Sequence, residues 1–297
     1  MKIAGCWMYV INKYGFPPKL ENMRKGIKEL SDLGFDYIEL EVVGKANLME
    51  VMNNRSNLLE YINMLEVSIS NFAVLLPNIY SMNKSLKDEA LSLFDRGIET
   101  AEYLKSDNVW IDSFMPPLEV KEGKVFSETI EFGTELKVKI PPDFIWSEFW
   151  DNFVDSVKKC NQIAEKYHMP LLIEPRTGEV IANTDALLRI IDVVNSENLG
   201  VIFDTAHLHA AKEILPLSIE KLGNNIKYVH AGDNDGSSDR HLLPGDGTID
   251  WEEIFLGLGK IGFEGYFATD LEALPDYDQS FLKCKKFLED SGKKYSL

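Results

Sequence analysis

Residues 226–251 read IKYVHAGDNDGSSDRHLLPGDGTIDW. An apolar, β-like run ends on His230, and a loop dense in Asp and Gly follows. That loop carries Asp239, Arg240 and His241, closes on Pro244-Gly245-Asp246-Gly247, and gives way to helical text at Trp251. A strand, a ligand-capable side chain at its C-terminal end, a polar Gly-rich loop and then a helix is how a chemistry-bearing βα unit reads. A surface loop with a chance histidine has the same local text, so the rest of the chain has to decide.

Outward from this stretch, short apolar runs alternate with longer amphipathic ones. Strands are predicted over Lys2–Met8, Asp36–Val42, Val67–Leu75, Asn108–Ser113, Pro170–Ile173, Leu199–Phe203, Ile226–His230 and Gly265–Leu271. Helices are predicted over Leu20–Leu33, Asn47–Leu65, Lys87–Leu104, Phe149–Tyr167, Asn183–Val194 and Ile214–Leu222, from Trp251 onward, and over Gln279–Glu289. Eight β-then-α units in 297 residues predict one (β/α)8 TIM-barrel domain over 1–297. A doubly wound sheet would place a phosphate-binding glycine turn after the first strand, and none is written there. One βα connection, 114–145, is far longer than the others. Within it EVKEGKVF suggests a hairpin around Gly123, and Glu131–Ile140 alternates like another strand. On a barrel this insertion lies over the C-terminal face, as a lid, a dimer contact or a tolerated excursion.

Composition narrows the class. With 31 Lys and Arg against 48 Asp and Glu the formal charge is −17, which disfavours phosphate-backbone binding, so no nucleic acid is expected. No apolar run is long enough to span a bilayer, and MKIAGCWMYV lacks a signal peptide's h-region and cleavage site, so a cytoplasmic protein is expected. Cys6, Cys160 and Cys284 are odd in number and far apart, which suits free thiols and excludes a cysteine-held zinc.

Several strands end alike: PLLIE on Glu174, GVIFD on Asp204, KYVH on His230 and GYFATD on Asp270. Strand C-termini of a barrel converge on one face. Three carboxylates and an imidazole gathered there repel one another unless a cation lies among them. One divalent metal with O and N ligands (Mn, Mg, Co or Zn) answers this. Each residue also has an ordinary role open to it, helix N-cap for a carboxylate and core residue for the histidine; the signal is the set. His207, just past strand six, is a candidate to bind substrate, orient a ligand or hold a second metal. Arg176 either meets a substrate anion or pairs with Glu179. Glu39, inward-facing on strand two by the DYIEL pattern, is a candidate to hydrogen-bond substrate, with a solvent-facing or helix-cap role equally open. Trp7, Phe72 and Trp110 are candidates for an apolar wall or, equally, for core filling.

The series IEPRTGEVIANTDALLRIID, GVIFDTAH and YVHAGDNDG with RHLLPGDGTIDW resembles the xylose isomerase-like TIM barrels, which include sugar and sugar-phosphate isomerases and epimerases and the AP endonuclease family 2-like proteins. The resemblance is strongest over Met169–Leu271. It implies a divalent metal held by Glu174, Asp204, His230 and a carboxylate after strand eight. There the family pattern GYxxxE becomes GYFATD, which leaves Asp270, or Glu272 two residues on, for the ligand and for acid–base chemistry. It further implies substrate contacts from His207 and from Arg240. Asp239 and His241 match the endonuclease branch, whose further metals also need histidines after strands three and four. SNFAVLLPN and VWIDSF have none, so His241 is grouped with the substrate contacts. The implied activity is proton abstraction α to a sugar carbonyl through an enediolate, with Glu174 and Asp270 or Glu272 as acid and base. Dehydration of an inosose, or a non-catalytic sugar- or metal-binding barrel, are the alternatives. The partner implied is a small sugar or sugar phosphate, and a homo-oligomer is compatible with the family.

Overall fold

The computed structural model describes residues 1–122, 137–272, 274–295 and 297. Ten strands are named in chain order: β1 Lys2–Gly5, β2 Tyr37–Val43, β3 Ser68–Leu75, β4 Val109–Ile111, β5 Glu119–Glu122, β6 Lys137–Lys139, β7 Leu171–Ile173, β8 Leu199–Asp204, β9 Ile226–His230 and β10 Tyr266–Thr269. All but β5 and β6 close into a parallel barrel in the order β1-β10-β9-β8-β7-β4-β3-β2. The fifth to eighth barrel strands are therefore β7 to β10. The helices are α1 Met8–Tyr14, α2 Leu20–Asp32, α3 Gly44–Asn53, α4 Arg55–Met64, α5 Lys84–Tyr103, α6 Trp146–Lys166, α7 Thr184–Val194, α8 Thr205–Ala210, α9 Leu215–Leu222, α10 Trp251–Lys260 and α11 Tyr277–Tyr295. The barrel architecture is the one expected from the eight-unit rhythm. Among the described residues no helix is long and apolar enough to cross a membrane.

Local capping explains where several helices start. Asn83 accepts from Ser85 N and Leu86 N, Asn183 from Ala186 N, and Asp250 from Glu253 N, each satisfying an otherwise unpaired first-turn donor. In the barrel, in-register parallel partners point to the same side, which sorts the side chains. Glu41, Ala73 and Trp110 share one level and one face, while Leu40, Phe72 and Val109 share the other.

Three expectations need correction. The first strand stops at Gly5 rather than Met8, because the Trp7 carbonyl already accepts from Val10 N and Ile11 N and opens α1. The apolar WMYVI text is helical, Met8–Ile11 buried and the first turn held by Tyr9 Oη donating to Asp278 Oδ1 at 2.5 Å. The single helix expected over Asn47–Leu65 is two, since Asn54 leaves helical geometry and its side chain donates to the Glu50 carbonyl at 2.8 Å. Phe72 is buried on the side opposite Trp110, away from the cavity described below.

The long connection leaves the C-terminal end of β4. Its described strands, β5 and β6, pair antiparallel with each other, Glu119 opposite Lys139 and Val120 opposite Val138. The expected turn at Gly123 lies outside the described residues, as does the first part of the Glu131–Ile140 segment.

Candidate metal centre

The C-terminal ends of β7, β8, β9 and β10 bring Glu174, Asp204, His230 and Asp270 together. Each is buried, none more than 4% exposed. Glu174 Oε1 lies 2.5 Å from His230 Nδ1, Asp204 Oδ2 is 3.6 Å from that nitrogen, and Asp270 Oδ2 is 3.8 Å from it. One ligand atom each from Glu174, Asp204 and His230 falls within a 4.8 Å sphere of mutual distances. Asp204 shows how the sequence builds this. Its Oδ1 accepts from His207 N at 2.7 Å and caps α8, while Oδ2 turns to the cluster without a hydrogen-bond partner. The capping role and the ligand role are thus filled by two oxygens of one carboxylate. His230 Nδ1 faces Glu174 Oε1 at 2.5 Å, an ion pair when the ring is protonated. Buried polar atoms left without partners are costly. Hard oxygens and one imidazole nitrogen converging on a single point form a donor set suited to a divalent cation.

Glu39 holds the other side of His230. Its Oε1 is 3.0 Å from His230 Nε2, and its Oε2 accepts from Trp7 N at 3.2 Å. A carboxylate on the far nitrogen fixes the tautomer, with the proton on Nε2, and turns Nδ1 toward the carboxylates. Burial works against protonation of His230, but Glu39 and Glu174 outweigh it and raise its pKa well above the ordinary value. Asp270 Oδ1 accepts from Cys6 Sγ at 3.2 Å and its Oδ2 is 2.8 Å from His241 Nδ1. Burial raises the pKa of Asp270, yet His241 and His230 bring it below the carboxylate range; burial lowers that of His241, yet Asp270 and Asp204 push it up to about 10.

His207 stands at the edge of this group. Its Nδ1 is 2.9–3.0 Å from both oxygens of Asp239, and its Nε2 accepts from Arg176 Nε at 3.4 Å. Asp239 is held in turn by the Thr177 hydroxyl. Arg176 Nη1 donates to Asp112 Oδ2 at 2.8 Å, and Nε lies 3.6 Å from Glu174 Oε2. The ion pair considered with Glu179 is instead made with Asp112; Glu179 accepts from the backbone and hydroxyl of Ser113.

A cavity of about 30 Å³ opens onto these groups. That is room for an ion and a water or two, so a sugar enters only as rim side chains shift. Trp7, Glu39, Arg176, His207 and Trp110 line it with Glu174, His230 and Asp270. Trp110 meets His230 edge to face, ring centroids 6.1 Å apart. Of the lining residues only Phe16 and Arg176 are half-buried, and they mark the mouth.

Other sequence candidates lie apart from the cavity. Arg240 is exposed while its neighbours Asp239 and His241 are buried, so the chain alternates and turns its guanidinium outward. Glu272 is buried and its backbone N donates to the His241 carbonyl, tying the loops after β9 and β10, but it does not line the cavity.

Sequence reasoning missed the residue that shapes the opening loop. Asp233 is fully buried and accepts from Asn234 N (2.8 Å), Ile249 N (3.2 Å), Gly245 N (2.8 Å) and Trp251 Nε1 (2.9 Å). Asn234 donates to the carbonyls of Ala206 and Arg240. A Cβ at Gly247 would collide with the Asp233 carboxylate and the Asn234 carbonyl, so glycine is required there by close approach. Glu41 and Asp112 were missed as well, although both obey the strand-end rule that found the others.

Fold and site together define a parallel β/α barrel with a candidate metal centre at its C-terminal mouth. The chain belongs to the xylose isomerase-like TIM barrel family, which it matches over residues 27–286. It is 29% identical over 134 residues to a fructoselysine 3-epimerase of Escherichia coli O157:H7, covering 44% of this chain and 47% of that protein. To an inosose dehydratase of Geobacillus thermodenitrificans it is 24% identical over 256 residues, covering 72% and 83%. The chain spans about half the length of other curated relatives it matches. A crystal structure of a D-tagatose 3-epimerase-like protein superposes with a TM-score of 0.76 at 24% identity, covering 100% of this chain and 98% of that one. That of the IOLI protein with a zinc atom superposes at 0.72 and 19%, covering 99% of each. At these identities the superpositions speak for the fold.

Proposed function

We propose that this protein is a divalent-metal-dependent sugar isomerase or epimerase that moves a proton α to a carbonyl. The observation that carries the reading is the convergence of Glu174, Asp204 and His230, with Asp204 Oδ2 buried and without a hydrogen bond. Epimerases among the relatives, and the zinc atom of the IOLI structure, support the same reading. Glu174, Asp204, His230 and Asp270 would hold the metal, which when bound supplies Lewis-acid polarisation of the substrate carbonyl and its neighbouring hydroxyl.

The chain's own residues do the rest. Glu174 takes and returns the α-proton, and Asp270, three strands away around the barrel, serves as the second acid–base group. Glu272 is set aside for this role because it does not line the cavity. His207, its Nδ1 proton held by Asp239, presents Nε2 to a substrate hydroxyl, with Arg176 beside it to meet developing negative charge. Trp7 Nε1, buried and without a partner, is a further donor for a hydroxyl. Phe16 and Trp110 supply apolar surface for the sugar's carbon face.

The test is solvent-deuterium exchange into a panel of ketoses, aldoses and inososes, with bound metal measured first. Exchange that requires metal and disappears in Glu174→Gln is expected. A protein that binds no divalent ion, or a Glu174→Gln variant with unchanged turnover, refutes the reading. The inosose dehydratase relative, which spans more of both chains than the epimerase does, favours a second reading. Elimination of water begins with the same proton abstraction, and release of a dehydrated product rather than an isomeric sugar identifies it.

A further inference from the structure

Glu41 faces the cavity one step above Glu39 on β2, and neither the metal centre nor its supporting shell uses it. Its side chain is buried, 8% exposed, and Oε1 has no hydrogen-bond partner. Behind it Asp112, fully buried, offers Arg176 one oxygen while the other, Oδ1, has no partner. Among the described residues no lysine lines the cavity. Arg176 is the cation nearest to hand, and it is engaged by Asp112, Glu174 and His207. A divalent ion over Glu174, Asp204 and Asp270 brings two positive charges to three carboxylates, so nothing of it is left over for Glu41, and Arg176 is shared between Asp112 and Glu174. A buried carboxylate without a counter-ion either keeps its proton or takes a cation. In the ligand-free protein burial, followed by the Asp112 charge, pushes Glu41 up to about 8, which accords with the missing partner.

Resting on the reading of this cavity as a sugar site, we propose that Glu41, backed by Asp112, receives the ammonium group of an amine-bearing, unphosphorylated sugar. A hydroxyl would satisfy one oxygen and leave the charge, whereas an ammonium satisfies both and offers three donors. A phosphate dianion would face Glu41 and Asp112 with no uncommitted lysine or arginine among the described lining residues. Arg176, the one residue suited to phosphate, is committed on the other side.

The test is calorimetric binding of three unreactive probes to the manganese-loaded protein: 1-amino-1-deoxy-D-glucitol, D-glucitol and D-glucitol 6-phosphate. The amino polyol is expected to bind at least about ten-fold more tightly than the neutral one, and the phosphate more weakly than either. In Glu41→Gln the preference for the amine is expected to collapse while manganese stoichiometry and melting temperature hold. Glu41→Asp, keeping the charge, is expected to retain part of it. Equal binding of the amino and neutral polyols, tighter binding of the phosphate, no binding of the amino polyol, or a preference that survives Glu41→Gln each overturns the proposal. Failure here is distinguishable from failure of the isomerase reading. Deuterium exchange into neutral ketoses without an amine preference overturns this inference alone. An amine preference with no exchange into any sugar overturns the isomerase reading alone.

Discussion

Replacing Glu39 by Gln separates two roles that the sequence left joined. The DYIEL pattern placed Glu39 against substrate, whereas both its oxygens are already occupied, Oε1 by His230 Nε2 at 3.0 Å and Oε2 by Trp7 N at 3.2 Å. Gln has one acceptor for these two donors. If its oxygen stays on Trp7 N, the amide NH2 meets His230 Nε2, and the ring proton must move to Nδ1. Nδ1 is the nitrogen that faces Glu174 and Asp204, so the metal then competes with a proton for it. If the amide flips, the buried Trp7 N–H loses its partner, and His230 keeps only a neutral acceptor. Loss of such an orienting carboxylate weakens metal binding by about 10–100-fold, or about 1.4–2.7 kcal/mol. The measurement is a chelator-competition titration with zinc or manganese, alongside circular dichroism to show that the variant is folded. A folded Glu39→Gln protein with wild-type metal affinity and a raised KM refutes the positioning role and restores the substrate role.

Asp233→Ala removes the acceptor for four donors, and a loss of about 3–5 kcal/mol is expected, read as a fall in melting temperature on the order of 10 °C. Gly247→Ala is expected to cost at least about 2 kcal/mol by its clash with the same carboxylate, and a neutral effect on thermal unfolding would show that the loop gives way. Burial opposes the charge on His230 but Glu39 and Glu174 raise its pKa, so in the metal-free protein at neutral pH it carries a proton that a metal must displace. Metal affinity is therefore expected to climb with pH up to that raised pKa and to weaken on acidification. Uptake should release about one proton, counted by calorimetry in two buffers of different ionisation enthalpy. Arg240→Ala, at an exposed position away from the cavity, is expected to leave metal affinity unchanged and to alter KM by less than about three-fold; a larger loss would place its guanidinium on the substrate.

What could be read from the sequence follows from what repeats. Four strands ending on Glu174, Asp204, His230 and Asp270 were legible because barrel topology sends all such endings to one mouth, whatever the intervening helices do. The same rule, applied to YIELEVV and VWID, reaches Glu41 and Asp112 as well. Asp233 was not legible, because DNDGSSD offers several carboxylates in a turn-rich segment, and only the fold shows which one is buried under Trp251. Likewise α1 was hidden in a β-branched run. Its helix arises where the chain leaves the barrel at Gly5 and rolls Met8 and Ile11 over the cavity, a tertiary outcome that propensity does not carry.

The four donors gathered by Asp233 have a thermodynamic consequence for any ligand. The connection from Ala231 to Asp250 is ordered when the chain folds, so its loss of conformational freedom is settled before a ligand arrives. Binding at this mouth should therefore show a small heat-capacity change and little entropic penalty from that loop. Reshaping of the site by sequence change is left to the exposed tip at Asp235 and Ser237, where residues can vary without touching the carboxylate that fixes the rest.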